Sequence, residues 1–189
     1  MRIVTIATLF SLAALPAMAS DYQAAMQSYL ENNIRAWAQS PVLVEAITTQ
    51  NSENQGLDQA GVDALDTKWR AEVGAPATPT IDEVLENSAA DFLRAQVTES
   101  GGRITEVFIM DAHGLNVASS GITSDMWQGD EAKFQQTYSV GADASHFGDV
   151  ELDESSRRYQ AQISLTIVDA ASGAAIGAMT VGIDAEALM

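Results

Sequence analysis

Apolar residues recur at helical spacing through the first half of the chain. Tyr22, Met26, Tyr29, Leu30, Ile34 and Trp37 predict an amphipathic helix from Asp21 to about Gln39, with Asp21 as its N-cap. Ser40 followed by Pro41 reads as a cap and a first helical position, opening a second helix through Val42, Leu43, Val44, Ala46 and Ile47. The polar stretch from Thr48 to Gln55 is expected to end it. Leu57, Val62, Leu65 and Trp69 predict a third, short helix closing before Gly74. After the stiff connector 74–79, Thr80 and Glu83 match a capping box, and a fourth helix runs through Val84, Leu85, Ala89, Phe92, Leu93 and Val97 to Gly101 and Gly102.

From Arg103 onward the pattern changes from helical to extended. Ile104 to Met110 reads as a central strand, Asp111 to Gly114 as a turn with glycine where positive φ is needed, and Leu115 to Ser119 as the returning strand. Residues 124–138 are polar and short-helical around 130–136, and Phe147 to Leu152 forms a third strand. Tyr159, Ala161, Ile163, Leu165 and Ile167 alternate with Gln160, Gln162, Ser164 and Thr166, a strand with one apolar face. A turn over Asp169 to Gly173 leads to a last strand, Ala174 to Asp184. The sum is an α+β layout of helices packed on about five antiparallel strands.

Charge narrows the function classes. Nine Lys and Arg against 26 Asp and Glu give a net charge of −17, which excludes a nucleic-acid binder and disfavours an anionic membrane surface. The acid is spread, with 13 acidic and 4 basic residues in each of 20–102 and 103–189, so it forms a solvated surface rather than an interaction arm. An apolar share of 47% with mean hydropathy near zero fits a folded domain.

Met1 and Arg2, the apolar run Ile3 to Pro16 and the small-residue site Ala17-Met18-Ala19 predict an export signal at 1–19, cleaved after Ala19; the alternative is an uncleaved anchor. Residues 20–189 then form one periplasmic domain, with a helical part at 20–79 and a helix plus sheet at 80–189. There is no cysteine, which removes thiol chemistry and thiolate metal sites.

Catalytic signals are weak. The two histidines, His113 and His146, read as surface residues, and neither a Gly-x-Ser-x-Gly elbow nor a phosphate-binding glycine loop occurs. Asp149, Glu151 and Asp153 share one strand face and form either a hard-cation site or a solvated edge that resists aggregation; the run lacks the calcium-loop spacing. The loop 123–131 gathers Asp125, Trp127 and Gln128 in a break of the sheet, as a small-molecule pocket would, unless Trp127 only plugs the core.

Four segments, Val107 to Ser119, Asp125 to Phe134, Gly148 to Asp153 and Ile176 to Asp184, together with the long first helix, resemble the single Cache (PDC, PAS-like) extracytoplasmic sensor domain in its standalone periplasmic form. The resemblance implies a five- to six-stranded antiparallel PAS-like sheet that binds a small polar metabolite over one face, beneath the loops. Carried over, Trp127 covers the ligand with Asp125 and Gln128 beside it, and Tyr138 forms a second wall. Asp153, with Ser164 eleven residues later, marks the amine-pairing carboxylate, and Asp184 is structural. The arginine expected beside the loop tryptophan is missing, since its neighbours are Met126 and Gln128; Arg103, Arg157 and Arg158 are substitutes or surface charges.

The expectation is a noncatalytic sensor, without cofactor or resident metal, that reports to a membrane-bound receptor or kinase. One alternative is a homodimeric interaction module indifferent to small molecules. Another is a hydrolase using Asp125, Asp130 or Glu131.

Overall fold

Leu30 and Ile34, both fully buried, lie in one π-helical turn (Leu30–Ile34) that joins α1 (Pro16–Tyr29) to α2 (Arg35–Ala38). The predicted first helix is therefore one continuous rod with a bulge, and Asp21 stands within it rather than at its cap. The computed structural model describes residues 16–153 and 158–189, and the side chains of 22–152 and 159–189. The expected export signal falls largely outside these residues. Among the described residues, no helix is long and apolar enough to cross a membrane.

The second helix, α3 (Pro41–Glu53), opens at the predicted proline but continues through the polar stretch expected to end it. Those side chains are not loop residues. Asn51 donates to the Ile176 carbonyl at 2.7 Å and accepts from the Ala112 amide at 2.8 Å, so the polarity serves tertiary bonds to the sheet. The third helix, α4 (Gln59–Glu72), is 14 residues long and is capped by Asp58, which accepts from the Gly61 amide.

The predicted fourth helix is two, α5 (Pro79–Leu85) and α6 (Ser88–Glu99), because Asn87 caps α6 by accepting from the Ala90 amide. The capping box at Thr80 does not form. The buried Glu72 of α4 accepts instead from the Thr80 amide, the Thr80 hydroxyl and the Ile81 amide.

The sheet is open, antiparallel and six-stranded: β1 (Ile104–Met110), β2 (Asn116–Ser119), β3 (Ser145–Phe147), β4 (Glu151–Asp153), β5 (Arg158–Val168) and β6 (Ala175–Asp184). Its order is β2-β1-β6-β5-β3, with β4 also paired to β5. The expected third strand is split, because residues 148–150 leave the ladder. Gly177 sits where β6 meets β1: a Cβ there would stand 2.1 Å from the Met110 carbonyl oxygen. The architecture is α+β, in agreement with the PAS-like layout expected from the sequence.

One sheet face carries Val107, Ile109, Ile163, Leu165, Met179 and Val181 against α1 to α3 and α6, where Trp37 meets Phe92 edge to face. A second cluster, built on Trp69, Ile81, Val84, Leu115 and Met126, lies beside β2. The opposite sheet face carries a small apolar patch of Phe108, Met110 and Ala178, covered by Phe134 of α7 (Ala132–Gln135).

Candidate functional site

The second sheet face is polar away from that patch. Register aligns Phe108, Thr180, Ser164 and His146 in one row across β1, β6, β5 and β3, and Glu106, Gly182 and Gln162 in the next. Gly182 contributes no side chain to its row.

Over these rows lie two cavities. One, of about 590 Å³, is lined by residues that include Glu131, Lys133, His146, Phe147, Asp149, Glu151, Gln160 and Gln162. The other, of about 330 Å³, is lined by Glu106, Phe108, Ile122, Thr123, Ser124, Gln128, Lys133, Gln160 and Gln162. Lys133, Gln160 and Gln162 belong to both, so the two are compartments of one cleft whose size suits a small metabolite.

Lys133 is the cation among the described residues that line it, and its side chain is only 14% exposed. Its ammonium pairs with Glu131 at 2.9 Å, donates to Gln128 Oε1 at 3.1 Å and lies 5.4 Å from the centre of the Phe108 ring. Gln160 accepts from the Thr105 hydroxyl at 2.8 Å.

The loop over the cleft is held by α4. Asp66 Oδ1 accepts from the Met126 and Trp127 amides at 3.0 and 3.1 Å, and the Trp69 indole donates to the Thr123 carbonyl at 2.9 Å. Arg70 bridges Asp66 and Asp125, at 2.7 and 3.2 Å. The carboxylates of Asp66 and Asp125 both hold the Arg70 guanidinium protonated more firmly than usual.

The sequence-expected residues divide. Gln128, 2% exposed, lines the smaller cavity and donates to Asp125. Asp125 is tied to Arg70 and Gln128. Trp127 lines neither compartment; its indole donates to the His113 carbonyl at 2.9 Å and packs on the second hydrophobic cluster. Tyr138 stacks on Phe134 with ring centres 5.1 Å apart. Ser164 is fully buried, its hydroxyl 3.0 Å from that of Thr180.

Asp153 ends β4, and its side chain lies outside the described residues, as do those of Arg157 and Arg158. Its register partner is Arg158, whereas that of Ser164 is His146; six residues of strand, about 20 Å, separate these positions. Arg103 is exposed, and Asp184 caps the last turn by accepting from the Glu186 amide. Asp149 and Glu151 are exposed on the cavity rim, and among the described residues no group of three His, Asp or Glu side chains could hold a metal ion. His146 is no surface residue but a half-buried wall of the cavity.

Lys133, Gln160, Gln162 and His146 were not singled out from sequence as site residues. The signal existed in the polar face of β5, four alternating polar residues on a strand that pairs on both edges.

No protein-family model and no curated protein matches the chain. Among solved structures it is similar to the ligand-binding domain of the Campylobacter jejuni chemoreceptor Tlp3 in complex with L-valine, at 14% identity and TM-score 0.44 over 89% of this chain. Others are the sensor domain of the V. cholerae histidine kinase DctB, at 15% and 0.37 over 91%, and the ligand-binding domain of the Pseudomonas aeruginosa amino acid chemoreceptor PctC in complex with GABA, at 15% and 0.41 over 91%. The chain spans 65%, 58% and 60% of the length of these three structures, respectively.

Proposed function

We propose that this chain is a noncatalytic, ligand-binding sensor module that takes a small polar metabolite into the cleft over the polar face of the sheet. The observation that carries the reading is the two-compartment cleft itself, walled by Lys133, His146, Gln160 and Gln162 and roofed by a loop that α4 holds in place. Hydrogen-bonding side chains on a rigid sheet beneath a braced loop can fix a ligand's orientation with little reorganisation. The Cache resemblance of the sequence agrees with it.

In this reading residues 1–19 direct export and are removed, and the domain works in the periplasm. Ligand favours one arrangement of the 121–131 loop, and a membrane-bound receptor or kinase prefers that arrangement. Asp125 and Gln128 shape the roof, Trp127 braces it through the His113 carbonyl, and Tyr138 backs α7 by stacking on Phe134.

A thermal-shift screen of residues 20–189 against amines, amino acids, organic acids and purines tests the reading. A ligand at about 100 times its Kd adds about 2.7 kcal/mol, which for a domain of this size raises Tm by about 5 to 10 °C. A shift confined to one chemical class and lost in Gln162→Leu supports the sensor; no shift with any class sinks it.

One observation favours the interaction-module reading. Leu152 and Tyr159 are register partners and are 51% and 60% exposed, an apolar pair on the hairpin of β4 and β5. Light scattering of the wild type and Tyr159→Ser tests it, with a dimer lost in the variant as the supporting result.

A further inference from the structure

Resting on the ligand-binding reading, we infer that the cleft recognises an organic ammonium ion, at a seat that the Lys133 side chain occupies when no ligand is bound. The seat has three components. The Glu131 carboxylate supplies charge at 2.9 Å, Gln128 Oε1 supplies an acceptor at 3.1 Å, and the Phe108 ring presents its negative face at 5.4 Å. An anion, an amide oxygen and an aromatic face around one point make an environment for an alkylammonium group. Gln128 and Phe108 are each 2% exposed, so two of the three components belong to the core, while the Glu131 carboxylate stands 40% exposed at the rim.

The occupant is tethered, because Lys133 stands on α7 in the wall shared by both compartments. Its charge is already spent on Glu131 and Gln128, which makes Lys133 a poor anchor for a ligand carboxylate. The larger compartment adds two carboxylates beside the imidazole and amide groups of His146, Gln160 and Gln162. Asp149 and Glu151 line it, and neither forms an ion pair within the described residues. An amine entering there meets uncompensated carboxylates first, and competes with Lys133 for the seat next. A displaced Lys133 releases Gln128, whose amide also donates to Asp125 in the loop, so competition couples ligand binding to the roof.

Calorimetric titration of wild type and Lys133→Ala with n-butylammonium, n-butyrate and n-butanol tests this, since butylammonium carries the same primary ammonium on a chain one carbon longer than the part deleted. The expected result is butylammonium bound about tenfold more tightly by Lys133→Ala than by wild type, with no gain for the acid or the alcohol. Lys133→Met, which keeps the apolar stem, serves with methylammonium if the alanine variant does not fold. Equal affinity in variant and wild type overturns the inference, as does butyrate binding as well as butylammonium. Organic acids stabilising the wild type while amines do not would also overturn it, yet leave the ligand-binding reading standing; silence of the wild type toward every class sinks that reading.

Discussion

Asn54 Nδ2 donates to Asp111 Oδ2 at 2.9 Å, fastening the end of α3 to the turn between β1 and β2. Gln50 adds a second bond to the same oxygen at 3.0 Å, and the His113 and Leu115 amides bind Oδ1 at 2.8 and 3.0 Å. The carboxylate is fully buried and sits among four donors. From the same turn the His113 carbonyl receives the Trp127 indole, so the loop over the cleft and the N-terminal helices meet at one hairpin.

Asp111→Ala leaves those four donors without their acceptor in the interior. We expect a loss of about 3 kcal/mol, a fall in Tm of about 6 to 12 °C, measured by thermal denaturation. Asp111→Asn retains part of the network and falls between.

Gly177→Ala forces a Cβ to within 2.1 Å of the Met110 carbonyl and 3.0 Å of Ile47 Cγ2. Strand β6 must shift away from β1, and the expected cost is about 1 to 3 kcal/mol by urea denaturation. Gly121→Ala, with nothing within 4 Å of the added carbon, should stay within about 0.5 kcal/mol of wild type.

Asp66→Ala removes the acceptor of the Met126 and Trp127 amides and the partner of Arg70. Hydrogen exchange at those two amides should accelerate, with a stability loss of about 1 to 3 kcal/mol. Arg70→Gln, at an exposed position, should leave the melting temperature close to that of wild type.

Burial works to raise the Glu72 carboxyl, but hydrogen bonds from the Thr80 hydroxyl and the Ile81 and Thr80 amides, helped by Lys68, hold it below the usual glutamate range. A depressed folded value means stability that is present above the unfolded value, about 4.3, and is lost as pH falls through the folded one. Wild type should therefore exceed Glu72→Gln in Tm at neutral pH, and the gap should close on acidification below about 4. A gap that widens with acid would contradict the cap.

The sheet was legible because β5 alternates apolar and polar residues with a period of two, and β1 and β6 are largely apolar, β-rich runs next to glycine-containing turns. Helix ends were less so. Gln50, Asn51 and Asn54 read as a polar loop, since tertiary bonds to Asp111 and Ile176 leave no local signature. Glu72 likewise caps α5 from another helix, which made the Thr80 box look local. At the site, attention to loop aromatics favoured Trp127, whose indole is committed to His113. The polar face of Gln160 and Gln162 was visible, but only pairing on both sides of β5 makes such a face the floor of a cleft rather than a solvated edge.

The central claim is that ligand occupies the cleft over the polar sheet face. Its most direct test is amide chemical-shift mapping of 15N-labelled protein with the compound that gives the largest thermal shift. The account predicts perturbations concentrated at Lys133, His146, Gln160 and Gln162. Perturbations elsewhere, for instance at Thr48, Asn51 and Ile176 around the cavity beside α3, with those four unmoved, would contradict it.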